Sequence, residues 1–395
     1  MNAGIFGSSA AVAMPAVSPQ PSDGPRSSSG LPDWQSSADL SRYAAAIRFG
    51  IASSARVTDT LSLAGGSFPG TAAAHQGGVT LPDGSVFFPP RNATQARIYN
   101  PRTNTVSTAG PASSFPGSTA YAGGVLMQDG RVFCVPNIGA TQARVYDPRT
   151  DTVSLVGPAG SFPTSHNNGV LLRDGRVFCS PAPVTGSATS VARVYDPRND
   201  TVSSYGTFSA GANDWQGCAL MLDGRVFVCP RSATQARIFD PTNNTVYAAG
   251  PASSFPGSNA YAGCVLMADG RVLCVPLSAT QIRIYDPYAD RVTLAGPATF
   301  PASNSFAYGV LMPDGRILMT PFNATSLRIY DPVTDTVTLA AGTLPGANAV
   351  LGASLLMDGR MIICAYSGTQ ARTYGRAGST YNQNVILSGS FYNRS

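Results

Sequence analysis

The chain has 395 residues with 41 glycines and 31 prolines; its 26 basic side chains are all arginine and its 21 acidic ones all aspartate. The absence of lysine and glutamate, two of the strongest surface helix formers, argues against a helical bundle or a conventional α/β enzyme and rules out a Walker-type phosphate loop and any lysine Schiff base. A formal net charge of +5 spread over isolated arginines gives no reason to expect nucleic acid as a partner, and no apolar run approaches the roughly 18 residues that span a bilayer.

In chain order, residues 1–33 are rich in Ser, Pro, Gly and Ala and are expected to be disordered in isolation. The opening run lacks a positive n-region and its apolar stretch is broken by proline, so it does not match a Sec signal peptide. Trp34, Leu40, Tyr43, Ala44, Ile47 and Ile51 then recur at helical spacing, with Ser36 or Ser37 as N-cap and Gly50 as stop. This predicts an arm, residues 1–50, with one short amphipathic helix whose Trp34, Leu40, Tyr43 and Ile47 are candidate partner-docking residues. Asp59–Gly65 (DTLSLAG) repeats almost exactly a sequence met again at Asp151–Gly157 (DTVSLVG).

From there a repeat takes over. Asp-Gly recurs at Asp83, Asp129, Asp174, Asp223, Asp269, Asp314 and Asp358, a period of about 46 residues. Each Asp-Gly separates two apolar segments, as in GGVLMQ-DG-RVFCVP, and is a strong hairpin signal because glycine tolerates positive φ. A second block, ARVYDPRTDTVSLVG in the unit at Ala143–Gly157, supplies two more β-rich segments about an Asp-Pro turn. Four short strands repeated seven times at this period predict an all-β chain, a seven-bladed β-propeller of four-stranded blades over residues 51–375, preceded by the arm and followed by a tail at 376–395. Asp59–Gly65 is the expected closing strand of the last blade, with Val385–Gly389 (VILSG) as the competing segment.

The blocks YDPRTDTV and LMPDGRIL resemble the kelch repeats of the galactose oxidase-like propellers over roughly Val57 to Tyr374. Blades of that group usually carry a Gly-Gly pair after the second strand, where this chain has Val135-Pro136 or Val275-Pro276. The resemblance implies the propeller fold. The family's copper oxidase chemistry needs two histidines and two tyrosines converging, one tyrosine crosslinked to cysteine, and the chain's only two histidines lie two blades apart.

Features present in every unit are most simply architecture. The strand-three arginines (Arg97, Arg144, Arg193, Arg237, Arg283, Arg328, Arg372) are expected to stack on aromatics or pair with aspartate, and those after most Asp-Gly turns likewise. Of seven cysteines, Cys134, Cys179 and Cys274 share a position filled elsewhere by Phe88, Val228, Met319 or Ile363, so they are expected to be buried thiols. With a two-residue turn, Cys218 and Cys229 would face each other. What varies between units is the residue eight before each Asp-Gly aspartate: His75, Tyr121, His166, Trp215, Tyr261 and Phe306, with Val350 last. These are the candidate ligand-binding residues, expected to ring one mouth of the central channel. No paired carboxylates, nucleophile elbow or metal motif accompanies them, so neither enzyme activity, nor a cofactor, nor a metal is expected. The resulting expectation is a structural or assembly module of a larger particle such as a virion, or of a cytoplasmic assembly, not Sec-secreted, docked to other protein subunits through its arm. Binding of a surface glycan or receptor at the aromatic mouth is the alternative.

Overall fold

The structure, a computed structural model, describes residues 59–70, 72–182, 190–208, 214–301 and 303–375. Its strands form seven four-stranded antiparallel sheets arranged as the blades of a ring. The second blade is typical: Tyr121–Leu126, Val132–Pro136, Ala143–Asp147 and Thr152–Val156 pair in chain order. The first strand of each blade contacts the first strands of both neighbours, so the first strands surround the axis. The fourth strands lie at the rim and are mostly exposed, as in Thr152–Val156, where only Val156 is buried.

The Asp-Gly hairpins have a three-residue loop, not the two-residue turn expected. In blade 2 the Met127 N–H donates to the Arg131 carbonyl at 2.8 Å and the Gly130 N–H donates to the Met127 carbonyl at 3.0 Å. The glycine of all seven Asp-Gly pairs has φ between +85° and +88°, the left-handed region that glycine enters without a Cβ clash. The aspartate fixes the loop from inside: Asp129 Oδ1 accepts the Arg131 N–H at 3.0 Å, and Arg131 Nε donates to Asp129 Oδ2 at 2.7 Å. Types of turn with this extra left-handed residue suit the twist of the strands as well as a two-residue turn does. The added residue shifts the register, so Cys218 lies opposite Val228 rather than Cys229. The thiol of Cys229 instead donates to the Gly263 carbonyl at 3.6 Å, and all seven cysteines are free.

The turn between strands three and four joins one blade to the one before it. Asp151 sits at φ +51°, and its Oδ1 accepts the Tyr146 hydroxyl at 3.0 Å and the Gly110 N–H of blade 1 at 2.7 Å. Asp200, Asp290 and Asp335 repeat this double acceptance with Tyr195 and Gly157, Tyr285 and Gly250, and Tyr330 and Gly296. The hydrophobic core lies between blades. Phe87 of blade 1 stacks on Tyr146 of blade 2 at 4.5 Å between ring centroids, and Phe133 with Tyr195, Phe178 with Phe239 and Phe227 with Tyr285 continue the series. Each such pair adds about 0.5–1.5 kcal/mol to the burial of its rings.

Ring closure follows the N-terminal expectation. Thr60–Leu63 pairs antiparallel with Arg372–Gly375 as the fourth strand of blade 7, with Leu61 opposite Tyr374. The neighbouring Gly65 N–H donates to Asn104 Oδ1 of blade 1 at 3.0 Å, and the Tyr99 hydroxyl donates to the same oxygen at 3.0 Å. The closing contact is therefore the same inter-blade link used elsewhere, with asparagine in place of aspartate. Val385–Gly389, the predicted helix and its Trp34, Leu40, Tyr43 and Ile47 lie outside the described residues.

Deleting residues 1–66 removes this strand and exposes Arg372–Gly375 as an open sheet edge. A lower melting temperature and a tendency to self-associate are expected, measured by circular dichroism and light scattering, whereas deleting residues 1–50 leaves the melting temperature of the ring unchanged. Equal melting temperatures for the two truncations would contradict closure by Thr60–Leu63.

Candidate functional site at the channel mouth

The six predicted mouth residues stand at or next to the starts of the first strands, in the register the repeat implied, but they do not face the opening. His75 and His166 are 0% exposed and Tyr121, Trp215, Tyr261 and Phe306 are 1% exposed. Each meets a phenylalanine that precedes its blade, in the linker or, for Phe208, at the end of the fourth strand, in an edge-to-face contact, as in Phe68–His75 at 5.3 Å, Phe115–Tyr121 at 5.6 Å and Phe208–Trp215 at 5.3 Å. Arg237, one of the strand-three arginines, lies over the Trp215 ring, and Arg328 over Phe300 and Phe306. The expectation that these side chains converge on the axis is thus corrected: the linker phenylalanines and the strand-three arginines enclose them within the blade packing.

Three of them hydrogen-bond within that packing. The hydroxyls of Tyr121 and Tyr261 donate to the carbonyls of Gln142 and Gln281 at 3.2 and 2.9 Å, and His75 Nε2 reaches the Gln95 carbonyl at 3.2 Å. Because a carbonyl only accepts, Nε2 carries the proton, and His75 does in blade 1 what tyrosine does in blades 2 and 5. Burial pushes the pKa of His75 down to about 4 and that of His166 to about 3, with Arg97 and Arg193 adding like-charge repulsion. Both rings are neutral at physiological pH.

The side chains that reach the axis come one step later along the first strands and just after the second strands. Gln76, Asn167, Gln216, Ala307 and Leu351 follow the enclosed residues directly, and Arg91, Arg231, Leu277, Phe322 and Tyr366 follow the second strands. Together with Asn304 and Tyr308 they line a cavity of about 150 Å³ to which six of the seven blades contribute. Adjacent strand residues point to opposite sides, so a face packed within the blade at His75 puts Gln76 on the channel.

Tyr308 occupies a position held by glycine in five blades, at Gly77, Gly123, Gly217, Gly263 and Gly352. There the inner strands crowd together: a Cβ on Gly352 would lie 2.9 Å from Gly77 Cα, and one on Gly263 would lie 2.5 Å from the Ala307 carbonyl oxygen. Blade 6 makes room because its ladder resumes at Tyr308, opposite Thr320, one residue earlier than in blades 2, 4, 5 and 7. Two blades depart from glycine at this position, with Asn168 and Tyr308, and that departure is the signal for Tyr308; the variable residue after strand two is the signal for Arg91 and Arg231.

These groups form one hydrogen-bonded chain across the cavity. Arg91 donates to Gln76 Oε1, Gln76 Nε2 donates to the Tyr308 hydroxyl oxygen at 2.8 Å, Gln216 Nε2 approaches the same oxygen at 3.4 Å, and Arg231 donates to Gln216 Oε1 at 2.9 Å. Arg91 also lies over the Tyr366 ring at 5.9 Å. Desolvation raises the pKa of Tyr308, so the tyrosine is neutral, and lowers that of Arg231 without taking the guanidinium out of its charged form.

The remaining reactive side chains are structural. Arg131, Arg176, Arg225, Arg271, Arg316 and Arg360 pair with the aspartates of their own hairpins at 2.5–2.7 Å. Cys134, Cys179 and Cys364 are buried, and desolvation raises their thiols far above the usual range. Cys264 and Cys274 face each other across their hairpin as free thiols. Among the described residues no group of three or more His, Cys, Asp or Glu side chains is placed to hold a metal ion.

No protein-family model matches the chain, and no curated protein matches it in sequence. Solved structures do resemble it. A streptogramin B lyase is 14% identical with a TM-score of 0.66, the match covering 82% of this chain and 100% of that one. A catalytically inactive histidine-to-alanine variant of virginiamycin B lyase from Staphylococcus aureus, bound to quinupristin, is 10% identical with a TM-score of 0.64, covering 80% and 99%. The WD40 β-propeller domain of Doa1 is 13% identical with a TM-score of 0.58, covering 81% and 98%. At these identities the likeness establishes the propeller fold alone.

The enclosed histidines make the fold acid-sensitive in a defined window. An unfolded chain protonates its histidines below about pH 6.5, whereas the native rings stay neutral down to about pH 4 for His75 and about 3 for His166. The unfolded state therefore binds more protons, and stability falls as the pH drops from about 6.5 towards 4, by about 3 kcal/mol through His75 alone. Urea unfolding of the double variant His75→Tyr, His166→Phe, which uses residues found at this position in other blades, is expected to show a much flatter pH dependence over that interval. An unchanged slope would contradict neutral burial of the two rings.

Proposed function

We propose that the chain is a non-enzymatic, kelch-like propeller that acts as a structural or assembly module of a larger particle, of virion tail or capsid type, docked to other protein subunits through residues 1–50. The observation that carries this reading is the fate of the two histidines: both are wholly enclosed by the phenylalanine-capped packing of their blades. Virginiamycin B lyase is catalytically inactive as a histidine-to-alanine variant, and here no histidine, cysteine or carboxylate is among the described residues that line the axial cavity. A propeller of lyase-like shape without a general base at its mouth supports a scaffold better than a catalyst. The copper chemistry of galactose oxidase-like propellers lacks support for the same reason. Glycan or receptor recognition through His75, Tyr121, His166, Trp215, Tyr261 and Phe306 is the weaker reading, because a sugar has no access to rings that are at most 1% exposed.

The test is the native mass of the purified full chain and of a chain lacking residues 1–50, by size-exclusion chromatography with light scattering, together with an assay for quinupristin cleavage. The full chain is expected to form a defined higher-order particle, the truncated chain a monomeric ring, and neither to cleave quinupristin. A monomeric full chain, or turnover of quinupristin, would overturn the assembly reading.

A further inference from the structure

The thiols between blades 4 and 5 fill space in the fold, but their grouping goes beyond what packing needs. Five residues before the Asp-Gly aspartate, cysteine stands only at Cys218 and Cys264; the other blades carry Gly78, Gly124, Gly169, Gly309 or Ala353 there. The position is tight: a Cβ on Gly169 would lie 3.1 Å from the Val135 side chain, and one on Gly309 would lie 3.2 Å from that of Val275. Val135 and Val275 are the counterparts of Cys229 in blades 2 and 5. The repeat therefore sets Cys264 of blade 5 against Cys229 of blade 4, and the two thiols come within hydrogen-bonding reach. On its own sheet Cys264 is paired with Cys274, where blades 2 and 3 pair cysteine with glycine. Three thiols thus meet in one cluster, and Cys264 is the one cysteine of the seven that is only partly buried.

The hairpin register sets the spacing of the Cys264–Cys274 pair. The Met267 N–H donates to the Arg271 carbonyl at 2.8 Å, and hydrogen-bonded and non-hydrogen-bonded pairs alternate along an antiparallel ladder. Counting back through Leu266–Val272 and Val265–Leu273 makes Cys264–Cys274 a non-hydrogen-bonded pair. Opposite Cα atoms in such a pair lie about 4.5 Å apart, within the roughly 4.4–6.8 Å that a disulfide spans. We propose that Cys264 and Cys274 form a reversible oxidation site for hydroperoxides, with Cys264 as the thiol that reacts first. The Cys264 thiolate attacks the peroxide, the O–O bond breaks, and water, or an alcohol from an organic peroxide, leaves behind a sulfenic acid. The Cys274 thiolate then attacks the Cys264 sulfur, the S–O bond breaks, and the hydroxide leaves as water. In all, the two thiols give up two electrons and two protons, the S–S bond forms, and the peroxide takes up both electrons and both protons. Burial raises the pKa of Cys274, while the Arg283 guanidinium on the third strand, in the residue paired with Cys274, favours its thiolate. The site uses neither residues 1–50 nor the axial cavity, so it is independent of the assembly reading.

Trypsin cuts this chain so that Cys229, Cys264 and Cys274 fall on separate peptides, residues 226–231, 238–271 and 272–283. The reduced full chain is treated with a small excess of hydrogen peroxide, its remaining thiols are counted and alkylated under denaturing conditions, and a non-reducing digest is read by mass spectrometry. Two of the seven thiols are expected to be lost, with peptide 238–271 joined to 272–283, and dithiothreitol is expected to reverse both changes. Cys264→Ala and Cys274→Val introduce the residues found at the equivalent positions Ala353 and Val228, and each is expected to abolish the link. Cys229→Val, as at Val135, is expected to leave it intact. Melting temperatures near wild type show that the variants fold, and either of the first two serves if the other does not. No loss of thiols, a link made through Cys229, oxidation that dithiothreitol does not reverse, or unchanged thiol loss in Cys264→Ala would overturn the proposal.

Discussion

A single side-chain oxygen in the loop between the third and fourth strands of a blade accepts hydrogen bonds from two blades at once. In Asp151 that oxygen takes the Tyr146 hydroxyl of its own blade and the Gly110 N–H of the blade before. The donating glycine has a second tie, because its carbonyl accepts the side-chain amide of Gln95 at 2.7 Å. Buried backbone groups at the end of a strand are costly to leave unpaired, and this pair of bonds satisfies both groups of the glycine while setting the spacing of adjacent blades. The stacked Phe87–Tyr146 pair lies beside the same contact, so packing and hydrogen bonding impose one register. Ring closure is this contact made once more, with Asn104 receiving Gly65 and Tyr99.

That economy decides where chemistry can reside. Tyrosines, glutamines, aspartates and most arginines recur because most blades use them for a latch, a glutamine clamp or a hairpin; in blade 4 Phe239 replaces the latch tyrosine and Asn244 Oδ1 accepts from Arg176 instead. The histidines are drawn into the same architecture by hydrogen-bonding like tyrosine or packing like phenylalanine. The residues around the axis take no part in these repeated contacts and bond to one another instead. Gln76 and Arg91 of blade 1 recur as Gln216 and Arg231 of blade 4 and in no other blade, Tyr308 stands alone in blade 6, and these are the groups that meet across the cavity.

Much of the fold was legible because the Asp-Gly period counts the hairpins directly and because DTLSLAG at Asp59–Gly65 copies a fourth-strand sequence. Two departures are single-residue effects. The Asp129 carboxylate binding the Arg131 N–H holds three residues in a hairpin loop where two are expected, and this places Cys218 opposite Val228. His75 and its equivalents lie one position before the side chains that face the axis. In a strand a one-residue slip exchanges the two faces, and the sequence of an inner strand such as YAGGVL (Tyr121–Leu126) is apolar or small on both, so its pattern does not say which face is which. The register of the axis-facing side chains shows in the sequence where Asn168 and Tyr308 interrupt the run of glycines.

The claim on which the rest stands is that the two-blade oxygen holds the ring together, and paired substitutions at Asp151 test it most directly. Asp151→Asn keeps an acceptor oxygen and tolerates the positive φ, as Asn104 does at φ +52° in blade 1, and is predicted to unfold in urea as a single transition close to wild type. Asp151→Ala leaves the Gly110 N–H and the Tyr146 hydroxyl without their partner and puts a Cβ-bearing apolar residue in the left-handed region, and is predicted to lose about 2–4 kcal/mol. Equal stability of Asp151→Ala and Asp151→Asn would contradict the account.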